Sequence, residues 1–420
     1  MPSEPTIDEP ARSLPVTGAC DVVVAGGGIA GVAAAVAAAR CGVSVCLIDK
    51  ACALGGLATL GNVVVWLPLC DGRGRQVVGG LAEEMLKLSV EDLARDDPAA
   101  RFKGIPACWL PGGDLEERRS VRYRVDFNPS SYLLALEKLV TDAGVTVSYD
   151  TRLCALNRDG HRISHVIVEN KSGRSALACR TLIDATGDAD VCYLAGEETE
   201  SLDTNVLCGW FYRLHDDGLH LDQLSNRYSP YALAEGASGP LFRGDDAQQV
   251  TAHLLETRTL IREKLDRLRA EAPDDNIQIL TPPTIACFRM TRRLVGSFSL
   301  GERHMHRWFD DAVGLTGDWR KRGPVYALPY RSLCGVHTRN LLSAGRCFSA
   351  DTTVWDTTRA IPTCAATGEA VGAAAALAVK HSRADTHDLS VPDLQRHLRE
   401  QGVILDPRHV EPLPEDLDTP

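Results

Sequence analysis

Apolar and polar positions along the chain change period several times, and each change predicts an element. Asp21 to Ala25 is a short apolar run rich in β-branched residues, as in a strand covered on both faces. Ile29 to Arg40 is alanine-rich, which favours helix, and Gly42 can close it in a left-handed conformation. Val43 to Ile48 predicts the second strand. Val121 to Phe127 alternates apolar and charged residues, as a half-exposed strand does. Asn128-Pro129-Ser130 then starts a helix whose apolar face is Leu133, Leu136, Leu139 and Val140, and Val145 to Tyr149 is the next strand. Ile163 to Glu169 and a partner near Ser175 to Cys179 predict a hairpin through the polar turn Asn170 to Gly173. Another apolar strand, from Thr181, ends abruptly at Ala185-Thr186-Gly187-Asp188. Leu207 to Leu214 is a strand candidate, and Gln248 to Ala270 a long amphipathic helix carrying Leu254, Ile261, Leu265 and Leu268 on one side. Asn340 to Arg346 is a last strand running into a glycine turn. Ile361 opens a final core helix, with Pro362 near its first turn and Gly368 and Gly372 forming a smooth face for close packing.

The strand–turn–helix–strand at the start carries the clearest chemistry. Gly26, Gly28 and Gly31 supply G-x-G-x-x-G: the first for the tight turn, the second for approach of a pyrophosphate, the third for helix–sheet packing. Asp49 ends the second strand 21 residues after Gly28, where a carboxylate can accept from ribose hydroxyls. The expected dinucleotide site here is Gly26, Gly28, Ile29, Ala30, Gly31, Asp49 and Lys50.

Composition narrows the function classes. Charged residues make up 24% and apolar residues 44%, as in a globular enzyme, and the net charge of −11 argues against affinity for nucleic acid or anionic membrane. The first twenty residues carry prolines and acids and no apolar core, so no signal peptide is expected, and the apolar run Ala370 to Val379 is too short for a membrane span. A cytoplasmic protein is the expectation. The 14 cysteines include no C-x-x-C and are read as reduced, mostly buried thiols. Cys41 and Cys46 have the spacing of a redox pair but lie at the far end of the first helix and in the second strand, which favours core packing. No metal site is predicted.

With Leu54-Gly55-Gly56 directly after the acid, the chain resembles FAD-dependent oxidoreductases of the glutathione-reductase-type flavin fold. The stretch G-G-x-x-T-x-G followed by D-G-x-G-R-Q, residues 55 to 76, is similar to one subgroup of them. The resemblance covers roughly residues 20 to 380 and implies FAD as cofactor. It implies that Gly55, Gly56, Leu57, Thr59, Gly61 and Asn62 run along the cofactor towards the flavin, with Trp66 lining the pocket or the core. Leu153 falls where the family's backbone contacts adenine, and Ala185, Thr186, Gly187 and Asp188 mark the crossing back to the cofactor. Gly345-Arg346 stands where many flavoproteins have Gly-Asp, and the arginine could neutralise pyrophosphate. The start of the last helix, Thr363, Cys364 and Ala365, with Gly368, faces the flavin. Disulfide reductases carry their redox cysteines after the G-G pair. This chain has Leu57 to Asn62 there, so a dithiol mechanism is not expected.

The resulting fold is α/β: a discontinuous Rossmann-like FAD-binding domain with a parallel sheet (20–191 and 336–380) and an interleaved mixed α+β substrate domain (192–335). A flexible leader (1–19) and a peripheral tail (381–420) flank them. Oxidation of a small molecule by flavin needs a proton acceptor, for which His304, His306 and Tyr326 are candidates, and positive charge near N1, which the last helix can supply. An anionic substrate could be clamped by Arg292 or Arg293, which alternate on a strand, with Arg331 or Arg359. No later strand carries a second G-x-G-x-x-G, so electrons would pass through the substrate pocket, to O2 or to a separate acceptor. A dehydrogenase or oxidase is the first reading. A flavin monooxygenase, and a flavoprotein using FAD structurally or without net redox change, are the alternatives. The sequence leaves the oligomeric state open.

Overall fold

The computed structural model describes residues 6–93, 96–97, 99–216, 218–224 and 240–413. Parts of the expected leader (1–5), of the tail (414–420) and of the substrate region (225–239) lie outside the described residues.

The apolar runs assemble into one seven-stranded sheet. Its centre is the strand Val16–Ala25, flanked by Val45–Ile48 on one side and Gly173–Asp184 on the other, both parallel to it. Val22, Val23 and Val24 are fully buried, as the unbroken run requires. Thr146–Ser148 extends the sheet beyond Val45–Ile48. The strand Gly173–Asp184 has two partners on its outer side. Its first half pairs antiparallel with Arg162–Asn170, and its last residues pair parallel with Leu341–Ser343. The central strand starts earlier than the apolar run suggests, because Val16 to Cys20 pair with Ala176 to Cys179, with the Thr17 hydroxyl also bonded to Ser175. The ends Ala25, Ile48, Ser148, Asp184 and Ser343 meet at one edge, which places a crevice outside the carboxyl ends of the strands.

Two helices cover one face. Ile29–Arg40 and Ile361–His381 cross with almost no side chain between them. A Cβ on Gly368 would stand 2.2 Å from the Ala30 carbonyl oxygen, and one on Gly372 at 2.2 Å from that of Ala34. The contact is therefore backbone against backbone, as the glycine spacing predicts. Ile361–His381 is long and apolar enough to cross a membrane, but it lies in the interior, where a core helix needs the same composition. Gly372→Ala should destabilise the protein by about 1 to 3 kcal/mol, because the clash is with main chain and cannot be relieved by a rotamer; urea unfolding of the variant measures it.

Glu369 sits on the same helix with its carboxyl buried and accepts from the Leu81 N–H at 2.9 Å. Burial pushes its pKa up to about 8, while the Leu81 amide opposes the shift. A folded-state pKa raised from 4.5 means that stability is full below pH 4.5 and is lost as pH rises towards 8. Between those limits the loss is on the order of 3 to 5 kcal/mol. Glu369→Gln keeps shape and acceptor, so its urea midpoint should fall less than that of the wild type between pH 5 and pH 9.

The region between the two halves of the sheet domain builds separate elements. Gly218–Gln223, Trp210–His215 and Gln278–Thr281 form an antiparallel sheet. The long helix Ala247–Glu271, capped by the Asp246 carboxylate on the Gln249 N–H, packs on it through Ile261 and Leu265 against Phe211 and Ile277. The short strand Arg292–Leu294 pairs with Thr199–Ser201, and the hairpin Ala312–Gly317 with Val325–Pro329 lies beside the start of the core helix.

Candidate active site and cofactor cleft

The glycine turn follows directly from the central strand. Gly26 adopts φ +103° and donates to the Ile48 carbonyl at 2.8 Å, and a Cβ on Gly31 would overlap the Gly26 carbonyl oxygen at 1.8 Å. The first glycine thus bends the chain and the third admits the helix. The second differs: a Cβ on Gly28 meets nothing within 4 Å. Space in front of that backbone is what a pyrophosphate needs. Gly28 is also the N-cap of the Ile29 helix and offers no capping side chain, so the first-turn N–H groups stay available to an anion.

The Asp49 carboxylate is held at the turn by the amides of Gly27 and Ala51, the latter at 2.6 Å. Beside it runs a groove of about 70 Å³ lined by Gly26, Asp49, Lys50, Leu153, Thr186 and Asp190. Thr151 N–H donates to the Asp49 carbonyl, which brings Leu153 to that wall. Gly55 (φ +98°) and Gly56 (φ +55°) fold back on the fingerprint: Gly55 N–H donates to Gly27 O at 2.8 Å, and Gly55 and Gly28 form a β-bridge. Thr59 turns its hydroxyl to the Leu54 carbonyl, and Asn62 donates to the carbonyls of Trp210 and Thr281, tying this loop to the second sheet. Trp66 is wholly buried against Tyr132.

From the other side come residues 185 to 188. Ala185 N–H donates to Ala25 O, Thr186 is bonded to the buried Asp184 carboxylate, and Gly187 takes φ +83°. The Arg346 guanidinium lies over Gly187, 2.5 Å from where a Cβ would stand, and pairs with Asp188 at 3.3 Å. Gly345 (φ +69°) makes that approach and is held by the Thr367 hydroxyl at 3.0 Å. The core helix starts at Ile361 after Ala360, again without a capping side chain. Thr363 shares a hydrogen bond with Thr316 at 2.7 Å, and the Cys364 thiol donates to the Arg359 carbonyl. The groove is thus lined by the first fingerprint glycine, the acid, Leu153 and Thr186, with the G-G turn bridged to Gly28 and Arg346 set over Gly187, and these residues fit the extended dinucleotide with which the sequence pattern is associated.

Tyr326 pairs across the hairpin with Thr316, so it lies beside the Thr363 end of the core helix. Its hydroxyl stays protonated well above the usual range, chiefly because it is buried. His304 is farther off, buried in a turn where Nδ1 accepts from the Gly301 N–H, and burial and Arg303 hold its pKa down. His306 donates from Nδ1 to the Val410 carbonyl at 2.7 Å, near the C-terminal segment.

The alternation of Arg292 and Arg293 is real. Arg292 pairs with Asp190 at 2.6 Å over the Tyr193 ring, and Arg293 with Glu200 at 2.5 Å over Trp355. Arg331 pairs with Asp311 at the surface. Arg359 is interior, bonded to the fully buried Asp356, and burial lowers its pKa while Arg289 and Arg346 act in the same direction. Arg289 belongs to the basic stretch that also holds Arg292, Arg293, Arg303 and Arg307, whereas the sequence pattern does not single out Asp356 or Thr316. The i, i+3 spacing of Asp356 and Arg359 just before an apolar helix was the one local signal for that pair.

This architecture, a Rossmann-like sheet with a dinucleotide cleft at its carboxyl edge and a second α+β region, is that of FAD-binding domains. The chain belongs to the FAD dependent oxidoreductase family, whose profile matches residues 21–205 and 216–398. It is a flavin-dependent redox enzyme with FAD as cofactor. No curated protein matches it. Among solved structures it is similar to a geranylgeranyl bacteriochlorophyll reductase-like protein from Thermoplasma acidophilum, with 13% identity, TM-score 0.45, and 91% of this chain and 83% of that one covered. It is also similar to p-nitrophenol 4-monooxygenase from Pseudomonas putida, with 12% identity, TM-score 0.47, and coverage of 92% and 85%. A third is a flavocytochrome c3 fumarate reductase, with 14% identity, TM-score 0.42, and coverage of 88% and 79%.

Proposed function

We propose that this enzyme is a dehydrogenase or oxidase that takes a hydride from a small anionic organic substrate. The observation that carries the reading is the group of arginines beside the start of the core helix. Arg289, Arg346 and Arg359 lie close enough for Arg289 and Arg346 to depress the pKa of Arg359, and Asp356 and Asp188 are the carboxylates set against them. Arg346 lies over Gly187, on the pyrophosphate wall of the cleft. Arg359 is bonded to Asp356 through Nε, and a substrate carboxylate would share the Arg359 and Arg289 guanidinium groups in further charge-assisted hydrogen bonds.

FAD, when bound, supplies the two-electron acceptor. The chain supplies the rest. The uncapped first turn of the core helix presents N–H groups and about half a positive charge to the developing anion. Thr316 fixes the Thr363 hydroxyl at that turn. Tyr326, held protonated, orients the substrate heteroatom by donating to it, and solvent takes the heteroatom's proton. The family profile is equally consistent with a monooxygenase. The single glycine fingerprint favours the first reading, because NAD(P)H has no second site of this type in the sequence.

The anaerobic half-reaction tests this. The substrate alone should bleach the flavin, whereas NADH and NADPH should reduce it only at rates far below turnover in stopped-flow. Rapid bleaching by a nicotinamide would reject this reading and point towards the monooxygenase.

A further inference from the structure

Outside the cofactor groove, three distant segments bring together two cysteines, a histidine and Arg289, the arginine shared with the proposed substrate site. Asn205 fastens the first two segments: its amide donates to Met290 O at 3.0 Å and its carbonyl accepts from the Arg289 N–H at 2.8 Å. This lays Cys208 beside Cys287, with the Cys208 thiol 3.3 Å from the Cys287 carbonyl. Both are buried, at 2% and 3% exposure. The helix Ala247–Glu271 adds His253, fully buried between Phe242 and Phe288. His253 Nε2 donates to the Val206 carbonyl at 3.2 Å, which fixes the tautomer. Nδ1 is then a bare lone pair, buried and without a hydrogen-bond partner among the described residues. A cavity of about 10 Å³ lies between Asn205, Val206, Cys208, Cys287, Arg289 and Met290.

The two thiols do not titrate alike. Cys287's thiol, then His253 and Arg289, hold Cys208 well below its usual range in spite of burial, and the Cys287 thiol is pushed up by Cys208. The cavity has room for about one water-sized molecule. An oxidant that reaches these sulfurs must therefore be little larger than water.

We propose that Cys208 and Cys287 form a peroxide-reactive thiol pair, separate from the flavin cleft. His253 Nδ1 accepts the Cys208 proton. The sulfur attacks one oxygen of hydrogen peroxide, the O–O bond breaks, one oxygen stays as the Cys208 sulfenic acid, and the other leaves as water with the proton from His253. The Cys287 sulfur then displaces the sulfenic hydroxyl, which departs as a second water with the Cys287 proton. The two sulfurs lose two electrons and the peroxide gains them. The Cys287 thiol donates to the Gly61 carbonyl at 3.5 Å, in the loop after the G-G turn. Turning that sulfur to Cys208 releases the contact, so the oxidation state of the pair is communicated to the loop bordering the cofactor. The proposal does not depend on which reaction the flavin runs.

The test is peptide mapping by mass spectrometry of the holoenzyme after graded hydrogen peroxide, with free thiols alkylated. A Cys208–Cys287 linkage should appear before the exposed Cys52 is modified. Oxidised glutathione, too large for the cavity, should form it about tenfold more slowly or not at all. In Cys287→Ser the reaction should stop at a Cys208 sulfenic acid, which dimedone traps once the protein is denatured. Should that variant not fold, the wild-type map alone decides. Cys52 reacting first while Cys208 and Cys287 stay reduced, or equal linkage by oxidised glutathione, would overturn the proposal.

Discussion

Gly28→Val is expected to yield a folded protein that contains no FAD. The two halves of that expectation rest on different observations. A Cβ at position 28 meets no protein atom within 4 Å, so the side chain adds no clash to the apoprotein. Gly28 has φ −67°, ordinary for any residue, so no backbone strain is added either. The space that the valine would fill lies in front of the fingerprint backbone and the uncapped N-terminus of the Ile29 helix, where the pyrophosphate must come within hydrogen-bonding distance. The neighbouring glycines serve as controls. Gly31→Ala drives a Cβ into the Gly26 carbonyl at 1.8 Å, and it should lower stability as well as flavin content. Flavin absorbance per protein and circular dichroism separate the two outcomes. A Gly28→Val protein that keeps stoichiometric FAD would show that the cleft has been assigned to the wrong group.

Much of this cleft was legible in the sequence because its parts are local. The fingerprint, the acid 21 residues on, and the glycine pair at 55 and 56 lie within one strand–turn–helix–strand unit, where spacing along the chain fixes spacing in space. The packing of Gly368 and Gly372 was legible for a related reason: four residues make one helical turn, so both must face the same neighbour. The arginine partners were not legible. Alternation separates Arg292 from Arg293, but nothing near them says that Asp190 and Glu200, about a hundred residues earlier, wait on the two sides. The early start of the central strand at Val16 was hidden for a similar reason. Val16 to Cys20 owe their strand to pairing with 176 to 179, residues about 160 positions away, and that partner is not marked in the local sequence. The Cys208–Cys287 pair spans 79 residues and depends on Asn205, whose sequence neighbourhood is unremarkable.

Removing Arg359 should lower kcat/KM by roughly 30- to 150-fold, the loss of a charge-assisted contact of about 2 to 3 kcal/mol. The single variant Arg359→Met confounds two effects. Asp356 is fully buried and accepts from Arg359 Nε at 2.9 Å, while Arg320 stands 3.6 Å from its other oxygen. Deleting the arginine weakens the pairing of an interior carboxylate, a change that in buried ion pairs costs about 3 to 5 kcal/mol of stability. The informative protein is the double variant Arg359→Met with Asp356→Asn, in which that charge is gone and Arg320 keeps Asp318 at 2.8 Å. If Arg359 serves only to neutralise Asp356, the double variant should regain wild-type kcat/KM. If Arg359 holds the substrate's carboxylate, the double variant should regain stability and FAD content but not kcat/KM, and the ester or amide of the substrate should lose its disadvantage. Arg292→Met, Arg293→Met and Arg331→Met serve as comparisons, since each of these arginines is paired with a carboxylate at 2.5 to 2.8 Å outside the Arg289, Arg346 and Arg359 group. Their kcat/KM values should stay closer to wild type than that of the Arg359 double variant. Near-wild-type kcat/KM in all these proteins, or a best substrate that is neutral or cationic, would reject an anion clamp at this site.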